Sequence, residues 1–200
     1  KKSYDLLVVG SGIVGLAHAY EANKRGLSVA IVEQNARCTG ASIRNFGFIT
    51  VSGQGAKDTW RRAVHSAKVW RELADLAKIR ILHQGTWILC ERPEAVEVAK
   101  AFVNTPMGAG CTYYPRSSYK DLPSLGFSNL NSLRLEESLG LLYSPHEFRV
   151  ESKEAIPQLA SYLQTAMGID FYWETEVLSI QDSWVQTSNG QVQACLLYTS

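Results

Sequence analysis

An α/β fold built on a parallel sheet with helices on both faces is the class this sequence predicts, and three observations predict it. Residues 5–9, DLLVV, are a short unbroken apolar run, the pattern of a strand buried on both faces. Residues 13–26 follow with helical spacing at Val14, Ala17 and Ala22 and with Gly26 as a natural stop. Residues 28–33, SVAIVE, form a second buried strand that ends in an acid. Strand, helix and strand joined this closely make the βαβ unit of a doubly wound sheet.

From Gln34 to about Lys57 no period is visible, and Gly40, Gly47, Gly53 and Gly55 punctuate the stretch. A long helix is expected over 58–78, with Trp60, Ala63, Ala67, Trp70, Leu73, Ala74 and Ala77 on one stripe and Asp58 as its N-cap. A strand is expected over 86–91, then a helix over 93–104 with Pro93 in its first turn. The stretch 110–150 is mixed, with strand-like pieces at 133–136 and 140–143. Residues 152–168 read as an amphipathic helix capped by Ser152 and stopped by Gly168, with Pro157 unusually deep in it. Strand runs at 169–174, 176–181, 183–187 and 191–194 follow, the last three as a meander around an Asn189-Gly190 turn.

Composition narrows the function classes. The 200 residues are 46% apolar and 20% charged, enough for a real core, and a net charge of +1 lacks the field that nucleic-acid binding uses. No apolar run approaches the length of a membrane span, and the first strand begins too early to leave room for a secretory or transit segment. The expectation is a cytoplasmic protein with a small-molecule partner and no membrane or nucleic acid. Cys38, Cys90, Cys111 and Cys195 are far apart, with no CxxC and no His at ligand spacing, so reduced thiols and no metal are expected.

The chemistry lies between the first two strands. Gly10, Gly12 and Gly15 make a GxGxxG at the joint. Gly10 permits the tight turn, Gly12 lets the backbone approach a pyrophosphate, and Gly15 lets helix lie close to strand. The helix start at Ile13 and Val14 then offers N–H groups and a positive dipole end to phosphates. Glu33 lies eighteen residues after Gly15, at the end of the second strand, where a carboxylate accepts from a ribose diol, with Gln34 beside it. The set predicts dinucleotide binding. A nicotinamide fold would pass into another helix and parallel strand soon after Glu33. Here more than twenty residues run without period, too apolar at Ile43, Phe46, Phe48, Ile49 and Val51 for a solvated linker. An ordered segment running along the far half of the cofactor fits better. In it Ala41 and Ser42 allow close approach, and Arg44 and Asn45 offer donors to phosphate or flavin oxygens.

With these residues the sequence resembles the FAD-dependent oxidoreductases of the D-amino-acid oxidase and glycine oxidase superfamily, through DLLVVGSGIVGLAHAYEANKRGLSVAIVE. ASIRNFGFITVSGQ (41–54) resembles more narrowly a branch associated with aminophosphonate catabolism. ETEVLSI (174–180) is similar to the strand whose backbone, at Val177, meets the adenine, and residues 139–160 to the stretch re-entering the FAD domain, with Ser152 where many relatives have Pro.

The resemblance implies a Rossmann-like FAD-binding domain in two segments, 1–80 and 146–200, around a partial substrate domain at 81–145. It also implies oxidation of a small amine by hydride transfer to flavin N5, followed by imine hydrolysis. The substrate implied is an aminophosphonate-related amine, with glycine or a D-amino acid as the alternative; a NAD-dependent dehydrogenase and a non-catalytic fragment are the other classes. Residues 41–49 contain no His or Cys, so noncovalent FAD is expected. Relative to the superfamily the sequence stops near the middle, at ACLLYTS. No catalytic residue is assigned, and residues 1–200 alone are expected to be inactive and to expose an unpaired sheet edge near 192–198.

Among the remaining residues, His18 and His65 read as surface or structural, and His83 and His146 as candidate pocket residues without a partner. Lys57, Arg61, Arg62, Lys68, Arg71, Lys78 and Arg80 read as a solvated helix face, and Trp60, Trp70 and Trp87 as core aromatics.

Overall fold

The computed structural model describes residues 2–125 and 135–199. In chain order the elements are β1 (Ser3–Val9), α1 (Ile13–Lys24), β2 (Val29–Val32), β3 (Phe48–Ile49), α2 (Asp58–Leu76), β4 (Ile81–Cys90) and α3 (Pro93–Phe102). They continue with β5 (Thr112–Pro115), β6 (Gly140–Val150), α4 (Ser152–Thr165), β7 (Asp170–Tyr172), β8 (Val177–Gln181), β9 (Trp184–Thr187) and β10 (Gly190–Thr199). The chain divides into two compact units, one of residues 1–47, 72–80 and 150–200, the other of residues 48–71 and 81–149.

The first unit is built on a six-stranded sheet in the order β7-β2-β1-β10-β9-β8. β1 runs parallel to β2 in the register Leu6↔Val29 to Val9↔Val32, and β2 runs parallel to β7. Every residue of β2 is buried, which is why its sequence shows no alternation. Leu16 and Ala19 of α1 are fully buried, and Tyr4, Leu7, Ala30, Val32, Val185, Val192 and Ala194 share one apolar cluster. Gly26, at φ +82, ends the α1 turn in the left-handed region, as its position predicts.

Several expectations are corrected here. Val14 and Ala17 face outward; the buried stripe of α1 is Gly15, Leu16, Ala19, Tyr20 and Ala22. The last strand does not end at Ala194 as half of a hairpin. β10 continues to Thr199 and pairs parallel with β1 from Ser3↔Gln193 to Val9↔Thr199, while its other side pairs with β9. Residues 192–198 are therefore an inner strand rather than an exposed edge, although Leu196 remains 58% exposed. Ser152 is buried as the first residue of α4, and the cap is Glu151, whose side chain accepts from the Lys153 amide at 3.5 Å. Pro157 stays within α4 because Ala155, Ile156, Leu159, Ala160 and Leu163 bury one face, offsetting a lost backbone bond.

The second unit carries a four-stranded sheet, β3-β6-β4 with β5 also on β6. Its apolar clusters join Cys90, Ala99 and Leu142, and Leu122 with Leu141. Trp87, half-buried, lies between Tyr114 at 5.7 Å and Tyr143 at 4.8 Å. The expected strand at 140–143 is the start of the eleven-residue β6. Of the expected strand at 133–136, residues 133–134 lie outside the described residues, and Leu135–Glu137 forms a 3₁₀ turn closed by Ser138 N–H on Leu135 O at 3.2 Å. Asp58 is the first helical residue rather than the cap; Lys57 precedes it at φ +68, and Asp58 pairs with Arg61 at 2.6 Å.

Glu147 of β6 is a buried carboxylate of this unit. Its Oε1 accepts the amide N–H groups of Val51, at 3.2 Å, and Ser52. Its Oε2 is buried without a hydrogen-bond partner among the described residues. Burial pushes this carboxyl up, but the Ser144 hydroxyl and the Ser52 amide and hydroxyl outweigh it and hold it below the ordinary value.

Candidate functional site

The C-terminal ends of β1 and β2 open on a cleft of about 600 Å³ in the first unit. Its walls come from four segments of sequence and one residue of the last strand. Val9 to Val14 form the glycine loop and the start of α1, and Val32 to Asn35 follow the end of β2. Cys38 to Ile43 form the next loop, and Thr175 to Val177 lead into β8, with Tyr198 of β10 completing the wall.

The glycine loop has the shape its spacing predicts. Gly10 adopts φ +102, and its N–H donates to Val32 O at 2.8 Å, tying the turn to β2. A Cβ on Gly15 would lie well inside van der Waals contact with Gly10 O, so the helix approaches the loop only because that atom is missing. Gly12, the N-cap of α1, has no side chain to cap the helix. Instead the Ile13 amide donates to Ser42 Oγ, 29 residues further along the chain, at 2.9 Å. The 3₁₀ turn Ala41–Arg44 is thereby pinned to the helix start, where an anion is favoured.

Glu33 is held by four donors. Its Oε2 accepts from Ser11 N at 3.0 Å and Ser11 Oγ at 2.8 Å. Its Oε1 accepts from Asn35 N at 3.0 Å and Asn35 Nδ2 at 2.9 Å. Burial pushes the carboxyl up, yet these four bonds outweigh burial and keep it below its ordinary value, ionised near neutrality. Burial pushes the neighbouring Cys38 thiol up, so it stays neutral.

Of the residues singled out in the sequence, Gly10, Gly12, Ile13, Val14, Glu33, Gln34, Ala41, Ser42 and Val177 line the cleft. Gly15 lies behind it as packing, while Arg44 and Asn45 are exposed and outside its lining. The Asn45 side-chain carbonyl accepts from Gly47 N at 3.3 Å, which makes it a turn-former; Gly47 sits at φ +75 with its Cα pressed toward the Val150 carbonyl. Sequence reasoning missed Ser11, Asn35, Cys38 and Thr175 as cleft residues. Ser11 and Asn35 carried a signal, being short polar residues beside the glycines and the acid; Thr175 is brought in by its N–H on Glu33 O at 2.9 Å, a long-range pairing no local pattern reveals. His18 stacks on Tyr198 with ring centroids 3.8 Å apart. His83 is exposed, and His146 Nε2 lies 2.6 Å from Ala109 O. Arg71 is not part of a solvated face: its guanidinium lies 4.3 Å over the Phe148 ring and donates to Gln84 at 2.9 Å.

Among the described residues the next strand of this sheet after β2 is β7, more than a hundred residues on, so the third parallel strand of a nicotinamide fold does not follow soon after Glu33. Among the described residues no group of three or more His, Cys, Asp or Glu could hold a metal ion, and no helix is long and apolar enough to cross a membrane.

Comparison with known proteins adds the family. The family model "DAO: FAD dependent oxidoreductase" matches residues 5–198. The sequence matches none of the curated proteins compared with it. Among solved structures, L-proline dehydrogenase from P. horikoshii superposes at TM-score 0.76 and 19% identity, over 100% of this chain and 53% of that one. Glycine oxidase from Geobacillus kaustophilus gives TM-score 0.74 and 21% identity, over 100% and 55%. Dithionite-reduced L-alpha-glycerophosphate oxidase from Mycoplasma pneumoniae, with FAD bound, gives 0.70 and 17%, over 98% and 53%. At these identities the likeness is one of fold, and the chain spans about half the length of these structures.

Proposed function

The chain belongs to the family of FAD-dependent oxidoreductases, and from that premise we propose that the cleft of the first unit holds the adenosine diphosphate half of FAD in a protein that oxidises a small amine or amino acid. The observation that carries this reading is the single cleft that gathers the glycine loop, the Glu33 carboxylate, the Ala41–Arg44 turn and Val177. The donor set fits the cofactor: a helix start for the pyrophosphate, a carboxylate kept ionised for the ribose, and a small-residue turn beside both. Gly10, Gly12, Ile13 and Ser42 would hold the phosphates, Glu33 and Gln34 the ribose, and Val177 the adenine. Gly15 supports the loop from behind. Arg44 and Asn45 belong to the flavin-side segment. FAD, when bound, supplies the acceptor for the hydride taken from the carbon beside nitrogen.

This chain's own residues bind and orient rather than transfer protons. The α1 dipole and the loop amides favour the diphosphate, and Glu33 fixes the ribose, so the reacting ring is placed by anchoring its far end. The imine product hydrolyses in water. The likeness of residues 41–54 to the aminophosphonate branch favours an aminophosphonate-related amine as substrate, with glycine or a D-amino acid as the second choice. We assign FAD to the unit containing the cleft and the substrate side to the other unit. With no Cys or His at 41–49, we propose that the cofactor is held without a covalent bond.

Two experiments test this. Acid precipitation of the yellow protein should leave FAD in the supernatant; colour retained in the pellet would refute noncovalent binding. Glu33→Ala should weaken FAD binding by about 1.5–3 kcal/mol, roughly 10- to 100-fold, because a charge-assisted acceptor is lost. An unchanged dissociation constant would remove Glu33 from the ribose site. Turnover of the longer protein that the resemblance implies, assayed with aminophosphonates, glycine and D-amino acids, then decides the substrate class.

A further inference from the structure

We propose that Ser11 and Asn35 are place-holders for the ribose hydroxyls at Glu33: their side-chain donors occupy the carboxylate positions that a ribose diol takes, and they set nucleotide affinity by competing with it. The inference rests on the nucleotide reading of the cleft and adds two residues and a direction of effect to it.

An ionised carboxylate accepts about four hydrogen bonds, and Glu33 already has four. They divide into two kinds. The Ser11 and Asn35 amides belong to pinned backbone. Gly10 N–H is bonded to Val32 O at 2.8 Å, Glu33 N–H to Tyr172 O at 2.9 Å, and Asn35 O accepts Glu174 N–H at 3.2 Å. Those two donors stay in place. The Ser11 hydroxyl and the Asn35 carboxamide are side-chain donors that leave by a rotamer change, one from each carboxylate oxygen. Ser11, Glu33 and Asn35 all line the cleft, Ser11 fully buried and Asn35 partly exposed, so the Asn35 carboxamide is the donor a ligand meets first.

The exchange is one for one. Each ribose O–H that reaches Glu33 releases a bond of similar kind, so the net gain is the difference between two hydrogen bonds rather than a whole one. In the empty cleft the same donors keep a partly buried carboxylate satisfied, where an unpaired one would be costly. Removing a place-holder therefore favours the ligand over the empty state.

The titratable groups that line the cleft with Glu33 are Cys38 from the loop after β2, Glu176 before β8 and Tyr198 of β10, and the backbone of Tyr172 and Glu174 bonds to that of Glu33 and Asn35. Burial pushes the Cys38 thiol up, so it stays neutral beside Glu33.

The test titrates purified protein with FAD, ADP and 2′-deoxy-ADP, for wild type and for Asn35→Ala and Ser11→Ala. Asn35→Ala should bind FAD and ADP about threefold more tightly at pH 8, the low end of what one exchanged hydrogen bond is worth. The gain should shrink with 2′-deoxy-ADP, which displaces one donor fewer. The acid limb of the binding profile should move to higher pH, since the carboxylate has lost a donor that favours its charged form. Ser11→Ala carries the same prediction, so a folding defect in one variant leaves the other to decide. Equal or weaker ADP binding by a folded variant overturns the place-holder role while leaving the nucleotide site intact. Failure of wild type to bind either FAD or ADP overturns both.

Discussion

Glu33 and Glu147 are two carboxylates at low exposure, one in each compact unit, and they are satisfied in opposite ways. Glu33 takes four donors from Ser11 and Asn35, within 22 and 2 residues of it, and both of its oxygens are paired. Glu147 reaches 95 and 96 residues back to the Ser52 and Val51 amides through Oε1, and its Oε2 has no partner among the described residues. The first arrangement holds an ionised acid at the wall of a cleft, which is what the proposed ribose site asks for. The second is a clamp, holding the segment after β3 against β6 at the cost of one stranded oxygen. A carboxylate's partners, more than its burial, tell the two uses apart.

The largest effect expected on either side of this comparison comes from the loop that supports Glu33. Gly15→Ala places a methyl group against the Gly10 carbonyl. Overpacking of this kind costs about 3 kcal/mol, more than the gain of about 1 kcal/mol that Ala brings to a helix. Urea denaturation should show the midpoint falling and FAD binding lost with it. Unchanged stability would mean that the close approach of α1 to the loop is not required.

Removing the clamp comes next. Glu147→Ala leaves two buried amide donors unpaired and should cost about 2 kcal/mol, the balance between their lost bonds and relief of the stranded oxygen. Glu147→Gln keeps an acceptor and should cost less. If both variants match wild type, the clamp contributes nothing and the comparison with Glu33 fails.

Acid should act on both carboxylates in the same direction. Each folded value lies below the ordinary 4.5, so each contributes stability that is complete above that pH and is lost as pH falls through the folded value. Stability measured from pH 7 down to 3 should be flat at first and decline below about 4.5. In Glu147→Gln the decline should be shallower. A decline of the same slope would place the acid sensitivity elsewhere.

The same contrast explains what could be read from sequence. The β1–α1–β2 unit, its glycines and Glu33 were legible because their partners lie within a single local motif, where spacing alone dictates geometry. The helix stripe of α2 was legible by the same logic: Ala67, Leu73 and Ala74 are buried as their period requires. The errors fall where a distant segment decides. Ser42 acts as the cap of α1 through Ile13, 29 residues away. β10 runs on to Thr199 because β1, at the other end of the chain, offers it a parallel partner. Arg71 looked like one more solvated cation until Phe148 supplied a ring for it. Glu147 was not singled out at all, since a lone Glu between His146 and Phe148 carries no signal until Val51 and Ser52 arrive beside it.

The central claim is that the Glu33 cleft is a nucleotide site for FAD. Its most direct test is a fluorescence titration of purified protein, stripped of cofactor, with FAD and in parallel with NAD, for wild type and Glu33→Ala. The account predicts saturable one-to-one binding of FAD, weakened roughly 10- to 100-fold by the substitution, with no saturation by NAD. Preferred binding of NAD, or FAD binding indifferent to Glu33→Ala, would contradict it.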